Sequence, residues 1–354
     1  MRHGSLITDL RREEEQRKNP KNCQRQTSSF LINPRFAKLA ADEKEKLDDK
    51  NCAEHTAPKG ELYMSKAKIH KIQNHLTIDF PIKSSSNVKA LTEELPPLMP
   101  DFAKTQDNLG TVHFSRFAVH GGEKLLFLTD IDGEVDTHIE RLVENAGPVF
   151  DAIFKHVEDP PATPVASNSE AAIKWLKRHN HRPITPYSAF EDASVQDIKA
   201  AARAAGFTGN TQQSPWTIYA PIKSGLKAFI LEQVVLRAIE GKGKEGSDIV
   251  GTLHFDYYVP FENHHLGFFT IYDGSFEQYI QDFADKLGPT FDAGFKFINN
   301  APPSPVAKNP QEFLKWAGEN HHPAIGFYSA YPGLGVQEIR ALLVDRRTQA
   351  DSAA

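Results

Sequence analysis

The sequence predicts an α+β protein in which one module occurs twice, between about residues 76 and 340. Two observations predict this fold class. Segments of the chain recur at a nearly fixed spacing, and each copy shows the same succession of strand and helix patterns. A chain of 354 residues is long enough for two ordinary domains and a further segment.

The repetition is clearest at a five-residue motif. Residues 110–114 (GTVHF) recur 141 positions later as residues 251–255 (GTLHF). The same spacing relates Asp132-Gly133 to Asp273-Gly274, and residues 187–189 (YSA) to 328–330. Nearer the N-terminus the spacing is 140, as in residues 81–83 (PIK) and 221–223. A single-residue insertion or deletion therefore separates two otherwise continuous alignments, and we call the two copies repeat one and repeat two.

The elements of repeat one follow from its hydrophobic pattern. Alternating or continuous apolar runs predict strands, and apolar residues at helical spacing predict helices. The predicted strands are 76–82, 110–119, 125–129 and one around Tyr187. The predicted helices are 88–98 (226–240 in repeat two), 135–143, a second piece after Gly147-Pro148 to about 156, one carrying Trp175, and one from Ser194. Gly121-Gly122 predicts a hairpin turn, and Pro148 interrupts a helix because it lacks a backbone donor.

This order is β-α-β-β-α-β with extra helices before the last strand, which is the ferredoxin-like pattern. A sheet of that kind has one face covered by helices and one face left open. Two copies can bury their open faces on each other. The sequence therefore predicts two tandem ferredoxin-like modules packed as a pseudo-twofold dimeric α/β barrel.

The tandem arrangement resembles the dimeric α/β barrel superfamily over about residues 76–340. That superfamily includes dye-decolourising peroxidases, chlorite-dismutase-like haem proteins and small monooxygenases. The resemblance implies a haem- or small-ligand-dependent oxidoreductase. It is more specific for fold than for function.

Four segments are predicted along the chain: 1–63, 64–208, 209–345 and 346–354. The first is polar, with mixed charge blocks and few apolar residues, and is predicted to be a disordered tail. It is either an extension of little consequence before a functional start at Met64 or a docking tail. The next two are the repeats, and the last is predicted to be a flexible tail.

Composition excludes several classes of function. The net charge of −5 argues against general binding to nucleic acid or anionic membranes. The two cysteines, Cys23 and Cys52, precede the repeats, which leaves the repeats without a disulfide or a thiol nucleophile. No apolar run reaches the roughly 18 residues of a membrane span, and no secretory signal pattern is present. The sequence therefore predicts a cytoplasmic protein.

His113 and His254 are the first catalytic candidates because they occupy the same position of the GTxHF strands. Strand alternation places Thr111, His113, Ser115 and Phe117 on one face, predicted to point between the two sheets, with Arg116 and its neighbours on the helix side. Histidine is a common proton carrier and metal ligand. The alternative is a pair of structural histidines at the interface between the repeats.

Asp132 and Asp273 are the second catalytic candidates. Dye-decolourising peroxidases carry a GxxDG motif whose Asp acts beside the haem, and the resemblance implies that role here. The leading Gly is replaced by Thr129 and Thr270, and the motif occurs twice. The alternative is a turn before a helix, where Asp and Gly are favoured.

Other histidines cluster at residues 179–181, 264–265 and 321–322. The last pair and its partner in repeat one follow the Trp-bearing helix, where histidine suits the helix dipole. Neither cysteine nor paired carboxylates accompany them at a zinc-binding spacing, and no metal site is predicted.

Tyrosines are concentrated in repeat two. Tyr257, Tyr258 and Tyr272 stand where repeat one has Arg116, Phe117 and Ile131. Because a phenol combines an apolar body with a polar tip, these residues are ligand-binding candidates. Lys83 and Lys223 end the first strand of each repeat and are either surface lysines or contacts for an anionic group.

Two functional hypotheses follow. The first is an oxidoreductase of the peroxidase or monooxygenase kind, with haem as its expected cofactor if it needs one. The second is a non-catalytic module that binds a small ligand or a partner protein. Both predict a small-molecule ligand, and the chain is either a monomer with an internal pseudo-dimer or a homo-oligomer.

Overall fold

The computed structural model describes residues 72–120, 123–224, 231, 243–262 and 264–353. The predicted N-terminal tail with Met64, the Gly121-Gly122 turn and most of the helix predicted at 226–240 lie outside these residues. The last helix runs through the segment predicted as a C-terminal tail and ends at Ala353.

Repeat one contributes four strands: β1 (Gln73–Pro81), β2 (Val112–His120), β3 (Lys124–Asp132) and β4 (Ile184–Ser188). Its described helices are α1 (Ser85–Glu94), α2 (Met99–Leu109), α3 (Val135–Asn145), α4 (Gly147–Phe154), α5 (Ser169–Arg178) and α6 (Val195–Ala204). The sequence predicted all of these except α2. The helix breaks between α3 and α4 at Gly147-Pro148, as expected.

Repeat two contributes β5 (Gln213–Pro221), β6 (Leu253–Phe261), β7 (His265–Asp273) and β8 (Ala324–Ser329). Its described helices are α7 (Gly243–Val250), α8 (Phe276–Phe295), α9 (Pro310–Glu319) and α10 (Val336–Ala353). In contrast to repeat one, α8 continues through its internal Pro289 as a single helix of 20 residues.

The strands form two antiparallel four-stranded sheets, which fits two ferredoxin-like modules. Sheet one has the order β1-β3-β2-β8, and sheet two has the order β5-β7-β6-β4. The last strand of each repeat therefore joins the sheet of the other repeat. Tyr328 of β8 lies opposite Ser115, and Tyr187 of β4 lies opposite Asp256.

Matching side chains hold each exchanged strand in place. Tyr328 donates a hydrogen bond to Asp107 at 2.8 Å, and Lys199 pairs with the same carboxylate at 3.1 Å. In the other half, Tyr187 donates to Asp248 at 2.9 Å, and Arg340 pairs with that carboxylate. The same arrangement of phenol, carboxylate and cation thus links the two repeats twice.

The two sheets contact each other through one apolar cluster. Leu126 and Leu128 of sheet one pack there with Tyr257, Val259 and Phe269 of sheet two. The opposite faces pack against helices. Phe102 of α2 contacts Phe117 and Phe127 in sheet one, and Tyr279 and Phe283 of α8 contact Trp216 in sheet two.

Candidate functional site

Each histidine of the two GTxHF motifs pairs with the aspartate of its own repeat. Nε2 of His113 lies 2.8 Å from Oδ1 of Asp132, and Nε2 of His254 lies 2.6 Å from Oδ1 of Asp273. Both imidazoles are fully buried. The four predicted catalytic residues therefore form two separate pairs.

The second carboxylate oxygen of each aspartate holds the start of a helix. Asp132 accepts the backbone N–H of Val195 at 2.7 Å, and Asp273 accepts that of Val336 at 2.7 Å. The glycine after each aspartate has a positive φ, 87° at Gly133 and 88° at Gly274, which glycine adopts without steric cost. Both turns thus aim an aspartate at a helix N-terminus, where negative charge is stabilised.

The two histidines differ at their other nitrogen. Nδ1 of His113 lies 2.9 Å from the phenol oxygen of Tyr331. The residue of repeat one equivalent to Tyr331 is Phe190, which has no hydroxyl, and Nδ1 of His254 has no hydrogen-bond partner. The pair in repeat one is fully bonded, whereas the pair in repeat two has one unused nitrogen.

The predicted facing of β2 is wrong. Ser115 donates a hydrogen bond to Gln106 of α2, and Phe117 packs on Phe102, which places both on the helix side. Arg116 instead points between the sheets and donates from Nε to Thr217 at 2.9 Å. The cause is a bulge between Val112 and Phe114, because one extra residue reverses the facing of every later side chain.

Between the sheets, repeat one supplies polar groups that the sequence analysis did not single out. Arg116 is fully buried, and burial lowers the pKa of its guanidinium. His75 pairs with Asp130 at 2.7 Å. Tyr257, the equivalent of Arg116, stacks near His75 with ring centroids 4.4 Å apart. The sequence could have indicated these buried polar groups, because they are charged residues inside otherwise apolar strands.

The predicted tyrosines do not form one site. Tyr257 lies between the sheets, whereas Tyr258 lies on the helix side of sheet two and stacks on Phe268. Tyr272 stacks on Tyr279 with centroids 3.9 Å apart.

Lys83 and Lys223 make equivalent contacts in the two repeats. Each donates at 2.8 Å to the backbone carbonyl of a helix C-cap, that of Lys155 after α4 or that of Lys296 after α8. These contacts tie the end of the first strand to a helix in both repeats.

A cavity of about 60 Å³ lies between sheet two and α8. Its wall is almost entirely apolar and includes Trp216, Tyr258, Phe268, Phe291 and Trp316. Two small residues, Ala220 and Gly294, leave the space open.

Repeat one fills the same space. The equivalents of Ala220 and Gly294 are Phe80 and Ile153, which are fully buried. The ring of Phe80 stacks on Trp175 with centroids 5.4 Å apart. Repeat two thus has a cavity where repeat one has packed side chains.

A hydrogen-bond donor beside the cavity is also unused in repeat two alone. The indole N–H of Trp175 donates to the carbonyl of Asp159 at 3.0 Å. The equivalent N–H of Trp316 is buried and has no partner. Buried donors usually have a partner. The unpartnered N–H of Trp316 therefore indicates that the core of repeat two is incompletely packed beside the cavity.

Asp256 is a buried carboxylic acid on the same face as Tyr258. It accepts a hydrogen bond from Ser247 at 2.8 Å, and its equivalent in repeat one is Ser115. Burial raises the pKa of the Asp256 carboxyl to about 7, and the Ser247 hydrogen bond opposes the rise. Burial, with Asp256 as a second cause, also raises the pKa of Tyr258.

Several other histidines contact protein groups, whereas both ring nitrogens of the buried His138 lack a hydrogen-bond partner. His120 and His322 lie 2.9 Å apart, and burial, reinforced by His322, lowers the pKa of His120 to about 3. His181 lies 3.8 Å from Asp79. Within the part of the chain that the structure describes, no group of three or more His, Cys, Asp or Glu residues is arranged to hold a metal ion.

Haem does not fit the residues that the sequence put forward for it. Both ring nitrogens of His113 and Nε2 of His254 are already bonded to the protein.

Known proteins resemble this chain only distantly. No protein-family model matches the sequence, and no curated protein sequence does. Among solved structures, a "Putative monooxygenase" from Fusobacterium nucleatum is similar with a TM-score of 0.36 and 9% identity, covering 75% of this chain and 98% of that one. One from Lactobacillus acidophilus has a TM-score of 0.27 and 7% identity, covering 73% of this chain and 97% of that one. Likenesses this weak leave the fold to be defined by the sheets and helices themselves.

Among the described residues, no helix is both long and apolar enough to cross a membrane.

Proposed function

We propose that this protein binds a small apolar molecule in the cavity of repeat two. The observation that supports it is the replacement of Phe80 and Ile153 by Ala220 and Gly294 at equivalent positions. A cavity normally costs stability, by about 24 cal/mol per Å³ in core substitutions. A protein that keeps one packed copy and one open copy of the same core has a use for the opening.

The chemistry of the wall defines the ligand class. Aromatic rings surround the space, and the N–H of Trp316 is the unused polar group beside it. An apolar cavity of about 150 Å³ admits benzene or xenon, so one of about 60 Å³ admits a ligand of a few heavy atoms or the end of a larger one. The ligand is therefore small and apolar, with at most one or two groups that accept a hydrogen bond.

Xenon quenching of tryptophan fluorescence tests the proposal. Two of the three tryptophans, Trp216 and Trp316, line the cavity. We expect saturable quenching in the full chain and its loss in Ala220→Phe, which places in repeat two the ring that fills repeat one. Equal saturable quenching in the wild type and in a folded Ala220→Phe variant would contradict the proposal.

A matched control uses the other repeat. Phe80→Ala removes the ring that stacks on Trp175 and should create a second quenching site there. Circular dichroism of each variant verifies that the fold is kept.

Oxidation of the bound ligand by dioxygen is the second candidate function, in which the ligand loses two electrons and two protons and dioxygen becomes hydrogen peroxide, and Asp256 favours it as a group that can carry one of the protons. A buried carboxyl whose pKa lies near neutrality suits proton transfer. Tyr258, whose pKa Asp256 helps to raise, is part of the cavity wall. An oxidoreductase of this kind would use the protein's own acid and base groups. Trapping of an oxidised product from a phenolic or aromatic substrate, lost in Asp256→Asn but not in Asp285→Asn, tests this candidate.

A further inference from the structure

The rings of His254 and Phe190 repeat the geometry of His113 and Tyr331. The His113 and Tyr331 rings have centroids 5.9 Å apart at an interplanar angle of 77°. The His254 and Phe190 rings have centroids 5.8 Å apart at 75°. The edge of Phe190 therefore approaches His254 as the phenol of Tyr331 approaches His113, but without a hydroxyl.

The unused nitrogen of His254 is an acceptor in the neutral imidazole, the form in which Nε2 carries the only ring N–H. Both oxygens of Asp273 accept hydrogen bonds, one from Val336 and one from Nε2 of His254. Since a carboxylate only accepts, Nε2 carries the hydrogen. Nδ1 of the neutral imidazole then presents a lone pair, which is buried and lacks a partner. Leaving such an atom unpaired lowers the stability of the protein.

Phe190, whose ring packs on the His254 ring, also lines a surface groove. The groove has a volume of about 570 Å³ and is lined by Ser188, Phe190, Asp192, Asp248 and Arg340. Phe190 follows β4, and the neighbouring Ala189 donates its N–H to the carbonyl of His254. A molecule in the groove can thus contact a ring that itself packs on His254.

We propose that His254 accepts a hydrogen bond from the hydroxyl of a small phenol that enters through this groove and displaces the Phe190 ring. The repeat-one half of the molecule supplies the template, because a phenol already occupies the equivalent place beside His113 as the side chain of Tyr331. This site is separate from the cavity of repeat two and goes beyond the function proposed for it.

The experiment uses 4-methylphenol, the side chain of tyrosine, with toluene as the ligand that lacks only the hydroxyl. In the full chain labelled with ¹⁵N-histidine, 4-methylphenol should shift one Nδ1 resonance, and toluene should not. A net hydrogen bond makes 4-methylphenol bind about 2- to 10-fold more tightly than toluene.

Phe190→Tyr should supply the missing hydroxyl internally, raise the melting temperature and abolish the shift. Ala220→Phe should leave the shift unchanged, which separates this site from the cavity. No shift in the wild type, or an identical shift in Phe190→Tyr, would overturn the proposal.

Discussion

Single residues distinguish two otherwise equivalent halves. Phe80 and Ile153 fill a core that Ala220 and Gly294 leave open. Ser115 is replaced by Asp256, which puts an ionisable group into an apolar layer. Such groups cost stability when they are charged and are retained where they are used.

Asp256 should make the stability of the protein fall as the pH rises. Its pKa is about 7 in the folded chain and near 4 when unfolded. Between these values the unfolded chain releases a proton that the folded chain keeps, so the free energy of unfolding decreases with rising pH and stays low above 7. Three units at about 1.4 kcal/mol each set an upper bound of about 4 kcal/mol.

Urea unfolding between pH 4 and 8 measures this dependence. Asp256→Asn keeps an acceptor for Ser247 but cannot ionise, so it should be more stable than the wild type at pH 8. The exposed Asp285→Asn variant should keep the wild-type slope. A wild-type slope in Asp256→Asn would show that this carboxyl is not the buried acid described here.

At the scale of elements, α8 lines the cavity of repeat two and contains two glycines whose substitution tests that space. Gly294 lies inside the helix, and an added Cβ would meet no atom within 4 Å. The added Cβ of Gly288 in the same helix would meet Ala307 at 3.4 Å. The two glycines therefore have the same backbone cost but different surroundings.

Gly294→Ala should stabilise the protein by about 0.5–1 kcal/mol, because alanine restricts the unfolded chain and fits the open space. Gly288→Ala should gain as much or more, since its added Cβ would make ordinary packing contacts with Ala307 and Val306. Thermal unfolding of both variants measures the difference. Destabilisation by Gly294→Ala would mean that the space beside the helix is filled.

At the scale of the whole molecule, the exchange of β4 and β8 makes the two repeats one folding unit. One edge strand of each sheet comes from the other repeat. β8 lies beside β2 in sheet one, and β4 lies beside β6 in sheet two. A homodimer of repeat one would put a second Arg116 where the native chain has the phenol of Tyr257. Two buried guanidinium groups at this place would repel each other, which is destabilising.

Residues 64–208 and 209–354 expressed separately should therefore lack cooperative unfolding, and mixing them should restore it. Circular dichroism during heating measures this. A sharp transition for 64–208 alone, near that of the full chain, would contradict the strand exchange.

The sequence was sufficient to predict the duplication and most helices and strands, because these depend on local patterns and on comparison of the two copies. The exchange of β4 and β8 was not predictable, since the segments before them permit pairing with either sheet. The bulge at His113 reversed the predicted facing of Ser115, Phe117 and Arg116. It was not predictable, because no residue at this position is typical of a bulge.

The candidate site was predicted in part. The structure places His113 beside Asp132 and His254 beside Asp273, a pairing that the sequence did not predict because it depends on the ends of β3 and β7, and the catalytic role of the four residues stays a prediction. The cavity had a sequence signal that only comparison of the repeats reveals, namely Phe80 against Ala220 and Ile153 against Gly294. Haem binding, cytoplasmic location and oligomeric state stay predictions.

The most direct test of the ligand site is a crystal structure of the full chain under xenon pressure. Xenon locates apolar cavities because it is polarisable, uncharged and rich in electrons. We predict one xenon atom between Trp216, Phe291 and Trp316 in repeat two and none beside Trp175 in repeat one. Xenon in repeat one, or none in repeat two, would contradict the assignment of the ligand site to the second repeat.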